Sequence, residues 1–347
     1  VAVAHNQDDQ AETVLMRLVR GAGLRGLRSM IPVADSIIRP LLEITRKDIQ
    51  SYADELALAY RTDSTNTQRI TDRNRIRLDV MPALQNIRPG VKSVLARTAT
   101  TLGKDLEVIQ WAARKAFTQC RPRELGGALE LCWADIEMLP DGVIAALFRL
   151  ISEERCGALP TRSDIDSAIS FCRNQRASGS VRLGRALWLL GSSGWLAFSP
   201  DPKWDMLLEI ETYLPIPGAL QVPKAGLSIS TRLISKPNAL EKARTLECYK
   251  GPDRSIATLD FDRMLEPIVL RGGKQGDVFT PFGHTSPIPL DKFLGQHNIP
   301  SWRRNGIPLV VANGQIAWVP GIEIGDCFRV GPDSRRPVPR RPGFAGW

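Results

Sequence analysis

No apolar run in this sequence approaches the ~20 residues needed to cross a bilayer, and stretches such as 308–312 are only strand-sized. The first residues do not read as a secretory signal, so the cytoplasm is the expected location and no membrane partner is expected. Six cysteines occur, at 120, 132, 156, 172, 248 and 327, and none belongs to a C-x-x-C pair. That spacing argues against a zinc or iron–sulfur site and reads as scattered buried thiols in a reducing compartment. No internal repeat is visible.

What is present is ordinary globular material: 347 residues, 43% hydrophobic and 24% charged. That is enough for two or three domains, each with a core. The formal net charge is +9 and the pI about 9.5. A basic surface attracts polyanions, nucleic acid being the commonest, although charge alone leaves an ordinary basic protein as an equal reading. The chain opens on Val1, in a short apolar run that reads as a strand. It is therefore expected to begin in the middle of a domain.

The N-terminal part alternates strand and helix, an α/β pattern. A helix is expected over about 9–20, with Ala11, Val14, Leu15, Leu18 and Val19 on one face. Thr45 and Asp48 have capping-box spacing, ahead of a helix expected to bury Ile49, Tyr52, Ala53 and Leu56. A polar loop, 61–71, leads to a shorter helix that Pro82 interrupts. After Arg88-Pro89-Gly90, helices are expected over about 91–118, 141–154 and 161–173, then strands over 181–190 and 195–198. From about 205, short strands alternate with Pro and Gly. Near the end, 308–312 and 315–319 flank Asn313-Gly314, the dipeptide a type I′ hairpin prefers. The Pro- and Arg-rich tail is expected to be disordered.

The strongest chemical signal is His5-Asn6-Gln7-Asp8-Asp9-Gln10-Ala11-Glu12-Thr13. A histidine and carboxylates gather where a strand feeds a helix, the end of an open parallel sheet at which ligands bind. Helix-start N–H groups hold anions, and carboxylates there can hold Mg²⁺ that escorts phosphates. Taken singly, acids in a first helical turn are explained as well by the helix dipole, and His5 equally by a core histidine. Between 69 and 97 the cations are Arg69, Arg73, Arg75, Arg77, Arg88, Lys92 and Arg97, against only Asp72 and Asp79. That bias suits phosphate contact, or else a solvated helix face. Arg73 and Arg77 are spaced to share a face.

The nine-residue string resembles the H-x-x-D-D-x-x-E-T segment of the PP-loop ATP pyrophosphatases that act on tRNA. The resemblance continues through the R-G-x-G end of that helix, at Arg20-Gly21-Ala22-Gly23, and Arg39-Pro40-Leu41-Leu42. It then takes in Asp63-Ser64-Thr65-Asn66 and Arg73-Asn74-Arg75-Ile76-Arg77. Further on, Leu270-Arg271, Gly276-Asp277-Val278-Phe279 and Pro281-Phe282-Gly283 are similar to a C-terminal motif of the same family, with Gly273 where a second Arg is usual. Ile299-Pro300-Ser301-Trp302-Arg303-Arg304 and the hairpin extend the match. This ordered set resembles the tRNA(Ile)-lysidine synthases.

That resemblance implies an α/β fold: the remnant of a Rossmann-like PP-loop adenylation domain (1–88), a mainly helical substrate-binding domain (89–204), a β-rich connecting segment (205–262) and a small α+β tRNA-binding domain (263–332), with a disordered tail (333–347). It implies ATP-dependent ligation of L-lysine to C2 of the wobble cytidine of tRNA(Ile) with a CAU anticodon, through an adenylated intermediate. His5 and Asp9 are the implied catalytic residues. Asp8, Asp9 and Arg20 are the implied ATP contacts, with Mg²⁺ on Asp9. Arg20, Asp63, Asn66, Arg73, Asn74, Arg77, Arg271, Arg303 and Arg304 are the implied tRNA and substrate contacts. Trp302 reads more readily as core than as a stacking platform, and Asp277 as a turn residue. The sequence leaves the oligomeric state open, a homodimer being one candidate.

The family's S-G-G-x-D-S phosphate loop is found nowhere in the sequence. Either this chain is a fragment of a longer product, or the product begins here and cannot activate ATP; the reading frame upstream of Val1 decides. The competing functions are a tRNA-binding module without catalysis, a tRNA thiolase of the same superfamily, which the lack of C-x-x-C disfavours, and a small-molecule ligase.

Overall fold

The computed structural model describes residues 1–347 except 61–68, 175–177, 224–226, 235–237, 239–254, 332–336 and 345–347, and only the backbone of 337–344. The chain divides into two compact units, Val1–Lys115 and Ala116–Trp347. No helix among the described residues is long and apolar enough to cross a membrane.

In the first unit, the opening apolar run makes a single parallel bridge, Ala2 to Ile38, rather than a full strand. Asn6 then caps α1 (Gln7–Val19). Its side chain accepts the Asp9 N–H at 3.1 Å, and the Asp9 carboxylate accepts the Asn6 N–H at 3.0 Å. This reciprocal box satisfies two donors that a helix start leaves unpaired. The apolar stripe expected on this helix is only partly realised. Ala11 and Val14 are buried, but Leu18 and Val19 are 55% and 82% exposed, and Asp8, Asp9 and Glu12 are buried instead. Burial of those carboxylates is affordable because each is paired, as described below.

The helix turns through α2 (Leu24–Leu27) into a hairpin of β1 (Val33–Ala34) and β2 (Ile37–Ile38). Next, α3 (Arg46–Glu55) starts on Thr45, whose hydroxyl accepts the Asp48 N–H at 3.1 Å. It buries no side chain fully; Tyr52 and Leu56, expected in the core, are 62% and 54% exposed. Pro82 does not end its helix. Helix α4 (Asp72–Arg75), a π-helical turn over Ile76–Val80 and α5 (Met81–Ile87) form one run. Pro82 has no N–H for the ordinary ladder, and the run widens just ahead of it, with Met81 donating to the Ile76 carbonyl. A 29-residue helix, α6 (Val91–Gln119), follows.

The second unit begins with more sheet than the sequence suggested. Strands β3 (Arg123–Leu125) and β4 (Ala128–Cys132) precede α7 (Asp141–Cys156) and α8 (Arg162–Arg173), and β5 (Gly179–Arg182), β6 (Trp188–Ser192) and β7 (Trp195–Ser199) follow. The five strands form one antiparallel sheet in the order β3-β4-β7-β6-β5. Phe148 and Ile151 of α7 and Ile165 of α8 pack on Leu129, Leu131, Leu196 and Phe198 of that sheet.

Beyond it lie β8 (Glu211–Tyr213), β9 (Gly218–Val222), β10 (Leu227–Thr231), β11 (Ala257–Asp260), β12 (Val269–Arg271), β13 (Val278–Phe279) and β14 (Ile288–Pro289). The chain continues through α9 (Leu290–Gln296), α10 (Ser301–Arg304), β15 (Leu309–Ala312), β16 (Gln315–Val319), β17 (Glu323–Ile324) and β18 (Pro337–Phe344). A five-stranded sheet runs β17-β16-β15-β12-β8 and a four-stranded one β11-β18-β10-β9. The expected hairpin is present: Asn313 and Gly314 join β15 to β16 at φ of 56° and 70°, both left-handed as a type I′ turn requires. Strand β18 lies between β10 and β11. Its backbone takes up the free edges of those two strands, a gain that Pro-rich composition conceals.

Candidate active site

The acidic start of α1 meets the basic face of the 72–87 helical run. The Asp9 Oδ1 atom accepts from Arg73 Nη2 at 2.9 Å and Arg77 Nη2 at 3.3 Å, and Arg46 Nη2 lies 3.5 Å away. Glu12, buried with 3% of its side chain exposed, takes Arg77 Nε at 2.6 Å, Arg77 Nη2 at 2.8 Å and Arg73 Nε at 3.1 Å. Asp8 accepts from Lys92 Nζ at 2.5 Å and from the Arg46 N–H at 2.9 Å. Three carboxylates are thus answered by four cations. The helical spacing of Asp8, Asp9 and Glu12 on one side, and of Arg73 and Arg77 on the other, makes this possible.

Burial by itself would raise the Asp8 carboxyl. The Arg46 N–H and the Lys92 ammonium outweigh it and hold the group below its ordinary value. The Arg77 guanidinium is held above its ordinary value, first by its hydrogen bond to Glu12. Both shifts favour the charged forms of Asp8 and Arg77. Neither Asp9 oxygen stands open to a Mg²⁺ ion in this structure. Oδ1 is occupied by guanidinium groups and Oδ2 by the Asn6 N–H. Among the described residues no group of three or more His, Cys, Asp or Glu side chains is placed to hold a metal.

The other expected site residues divide. His5 sits one residue before the cap, its Nδ1 buried and without a hydrogen-bond partner among the described residues. Arg20 pairs with Asp72 at 3.1 Å at the surface. The Asn74 N–H donates to the Thr71 hydroxyl at 3.2 Å, capping α4. Asp63 and Asn66 lie outside the described residues. Arg46 and Lys92 are members of the cluster that motif reading did not single out. Arg46 lies between Thr45 and Asp48 of the α3 cap, and Lys92 is one cation of the 69–97 basic stretch.

The C-terminal cations are mostly committed to the protein itself. Arg271 makes a two-pronged pair with Asp277 at 2.8 and 2.7 Å, and both are largely buried. Asp277 also accepts the Lys274 N–H at 2.8 Å, as a turn residue does. Arg303 grips Glu130 of β4 through Nε at 3.0 Å and through Nη2, while Trp302, 3% exposed, donates its indole N–H to the same carboxylate at 2.5 Å. Arg304 donates Nε to the Ile299 carbonyl at 3.1 Å.

Residues 1–84 match the model of the PP-loop domain, and residues 268–337 that of the TilS substrate C-terminal domain. The fold and site thus define an ATP-using PP-loop protein with an appended C-terminal domain. The chain is 31% identical to the tRNA(Ile)-lysidine synthase of Symbiobacterium thermophilum, over 99% of this chain and 74% of that one. It is likewise 31% identical to the tRNA(Ile)-lysidine synthase of Geobacter sulfurreducens, over 96% and 70%. A solved TilS C-terminal domain matches at TM-score 0.32 and 20% identity, over 40% of this chain and 98% of that one. The chain belongs to the tRNA(Ile)-lysidine synthase family, whose members are ligases.

Proposed function

We propose that this chain takes part in ligating lysine to C2 of the wobble cytidine in the CAU anticodon of tRNA(Ile), converting the codon read from AUG to AUA. ATP first adenylates the C2 oxygen and releases pyrophosphate. The lysine amine then attacks C2 and AMP departs. The first step is needed because C2 is a weak electrophile and its oxygen a poor leaving group. The observation that carries the reading is the Asp9–Arg73–Arg77–Glu12 cluster at the start of α1.

Glu12 and Asp9 are the buried members, and Arg77, the less open of the two arginines that hold them, acts as the anchor. Arg73 and Arg46 are more open, with 37% and 38% of their side chains exposed. An arriving phosphate competes with Asp9 for their guanidinium groups, and such contacts stabilise charge growing on phosphate oxygens. Asp9 Oδ1, once released, accepts a hydrogen bond from the neutral lysine amine and takes its proton as the C–N bond forms and the nitrogen becomes acidic, while AMP leaves with the C2 oxygen. His5, whose Nδ1 is buried and has no hydrogen-bond partner among the described residues, precedes the cap of the same helix. Mg²⁺ belongs with the ATP phosphates in this reading, and no step here passes through it.

The test is incubation of the full-length protein with ATP, radiolabelled lysine, and either tRNA(Ile) bearing CAU or the methionine tRNA with the same anticodon. ATP-dependent label in the isoleucine tRNA alone is expected. Label in neither would overturn the proposal.

A further inference from the structure

The cations that sequence reading assigned to RNA in the C-terminal unit are largely committed to protein partners, so a basic protein of this family must offer phosphate contacts elsewhere. Helix α6 carries such a surface within the first unit. At the α-helical repeat, Arg97, Lys104, Val108, Trp111 and Lys115 fall inside an arc of about 60°. The opposite face, through Ala99, Leu106 and Ala113, is buried. No carboxylate stands on the arc, since Asp105 and Glu107 lie about 90° and about 70° from its centre line, on opposite sides. Trp111 is 62% exposed and Val108 64%, and the Lys115 Nζ sits 5.1 Å from the centre of the Trp111 ring. Unlike Arg271 and Arg303, Arg97 and Lys104 have no carboxylate partner among the described residues.

An exposed indole on the same arc as three cations, one of them over its ring, matches neither a core nor a plain solvated face. A solvated face carries both signs of charge, and a core-facing stripe carries no Lys or Arg. We infer that this face of α6 is an RNA contact, on which Arg97, Lys104 and Lys115 neutralise successive phosphates and Trp111 offers its ring to an unstacked base or a ribose. The row of cations spans about 27 Å of helix, long enough to track several phosphates. Stacking on an exposed indole flanked by cations accepts any base, because every base has a π-face. The contact therefore supplies affinity rather than choice of sequence. The inference rests on the proposed function only for the identity of the RNA as tRNA.

The test uses the full-length protein and tRNA(Ile) transcript in filter binding across a salt series. The variant Arg97→Gln/Lys104→Gln/Lys115→Gln is expected to weaken binding at least ten-fold at low salt and to flatten the log–log salt slope by about two, each lost phosphate contact removing somewhat less than one. Trp111→Ala is expected to weaken binding roughly five-fold or more, and Trp111→Phe to restore most of it. Thr101→Lys, an added cation beside the same arc, is expected to tighten binding and steepen the slope. A wild-type protein that binds tRNA while the variants bind it equally well overturns this surface and leaves the proposed function standing. A wild-type protein that binds no tRNA overturns both. A change in oligomeric mass without a change in tRNA affinity assigns the face to a second copy of the chain and overturns the inference.

Discussion

Arg303 and Glu130, 173 residues apart, form an ion pair whose carboxylate is fully buried and shared with the Trp302 indole. The pair ties α10 to β4, and Trp195 closes over the guanidinium at 4.8 Å. Removing one member of such a pair leaves a buried charge unanswered, which costs about 3–5 kcal/mol, whereas replacing both with apolar groups is often close to neutral. Arg303→Met is therefore expected to destabilise strongly, and Arg303→Met/Glu130→Leu to recover most of the loss. Urea unfolding followed by tryptophan fluorescence reads this, because Trp195, Trp204 and Trp302 cluster there. Equal stability of the single and double variants would contradict it.

The same logic applies to the anchor of the first unit. Glu12 has 3% of its side chain exposed and depends on Arg77 for its shortest bond. Arg77→Met should cost about 3–5 kcal/mol. Arg73→Met should cost less, since its side chain is twice as open as that of Arg77. The ordering is checked by denaturant midpoints of the two variants; a reversal would show that Arg73 is the true support.

Acid should loosen the first unit through Asp8. Its folded carboxyl sits below its ordinary value: burial raises it, and the Arg46 N–H and Lys92 together more than offset that. A depressed carboxyl contributes stability that is present above its unfolded value, about 4, and is lost as pH falls through the folded value. Lys92→Met removes two of the lowering influences. Its acid-unfolding midpoint, followed by circular dichroism, should move to higher pH than that of the wild type. An identical midpoint would mean that Lys92 does not hold Asp8 in solution.

Much of the cluster was legible in the sequence because it is built from local periodicity. The D-D-x-x-E spacing puts three acids on one side of α1, and the spacing of Arg73 and Arg77 puts two guanidinium groups on one side of the next helical run. A family resemblance brought the two strings together before any coordinates did. What could not be read were partners set by long-range packing. Glu130 carries no local mark, and a strand carboxylate ordinarily reads as solvent-facing. The Arg271–Asp277 pair was hidden by reading each residue separately, one as an RNA contact and one as a turn. Leu18 and Val19 show the converse error. Amphipathic spacing names a face that can be buried, but the paired carboxylates were the ones that went inside.

The most direct test of the account is Asp9→Asn in the full-length protein, which keeps the shape of the side chain and removes its charge. With ATP, labelled lysine and tRNA(Ile) present, lysine transfer should fall by at least a hundred-fold (about 3 kcal/mol of barrier), while tRNA affinity stays within about two-fold of the wild type. Lysine transfer at the wild-type rate would contradict the claim that this carboxylate receives the proton of the attacking amine.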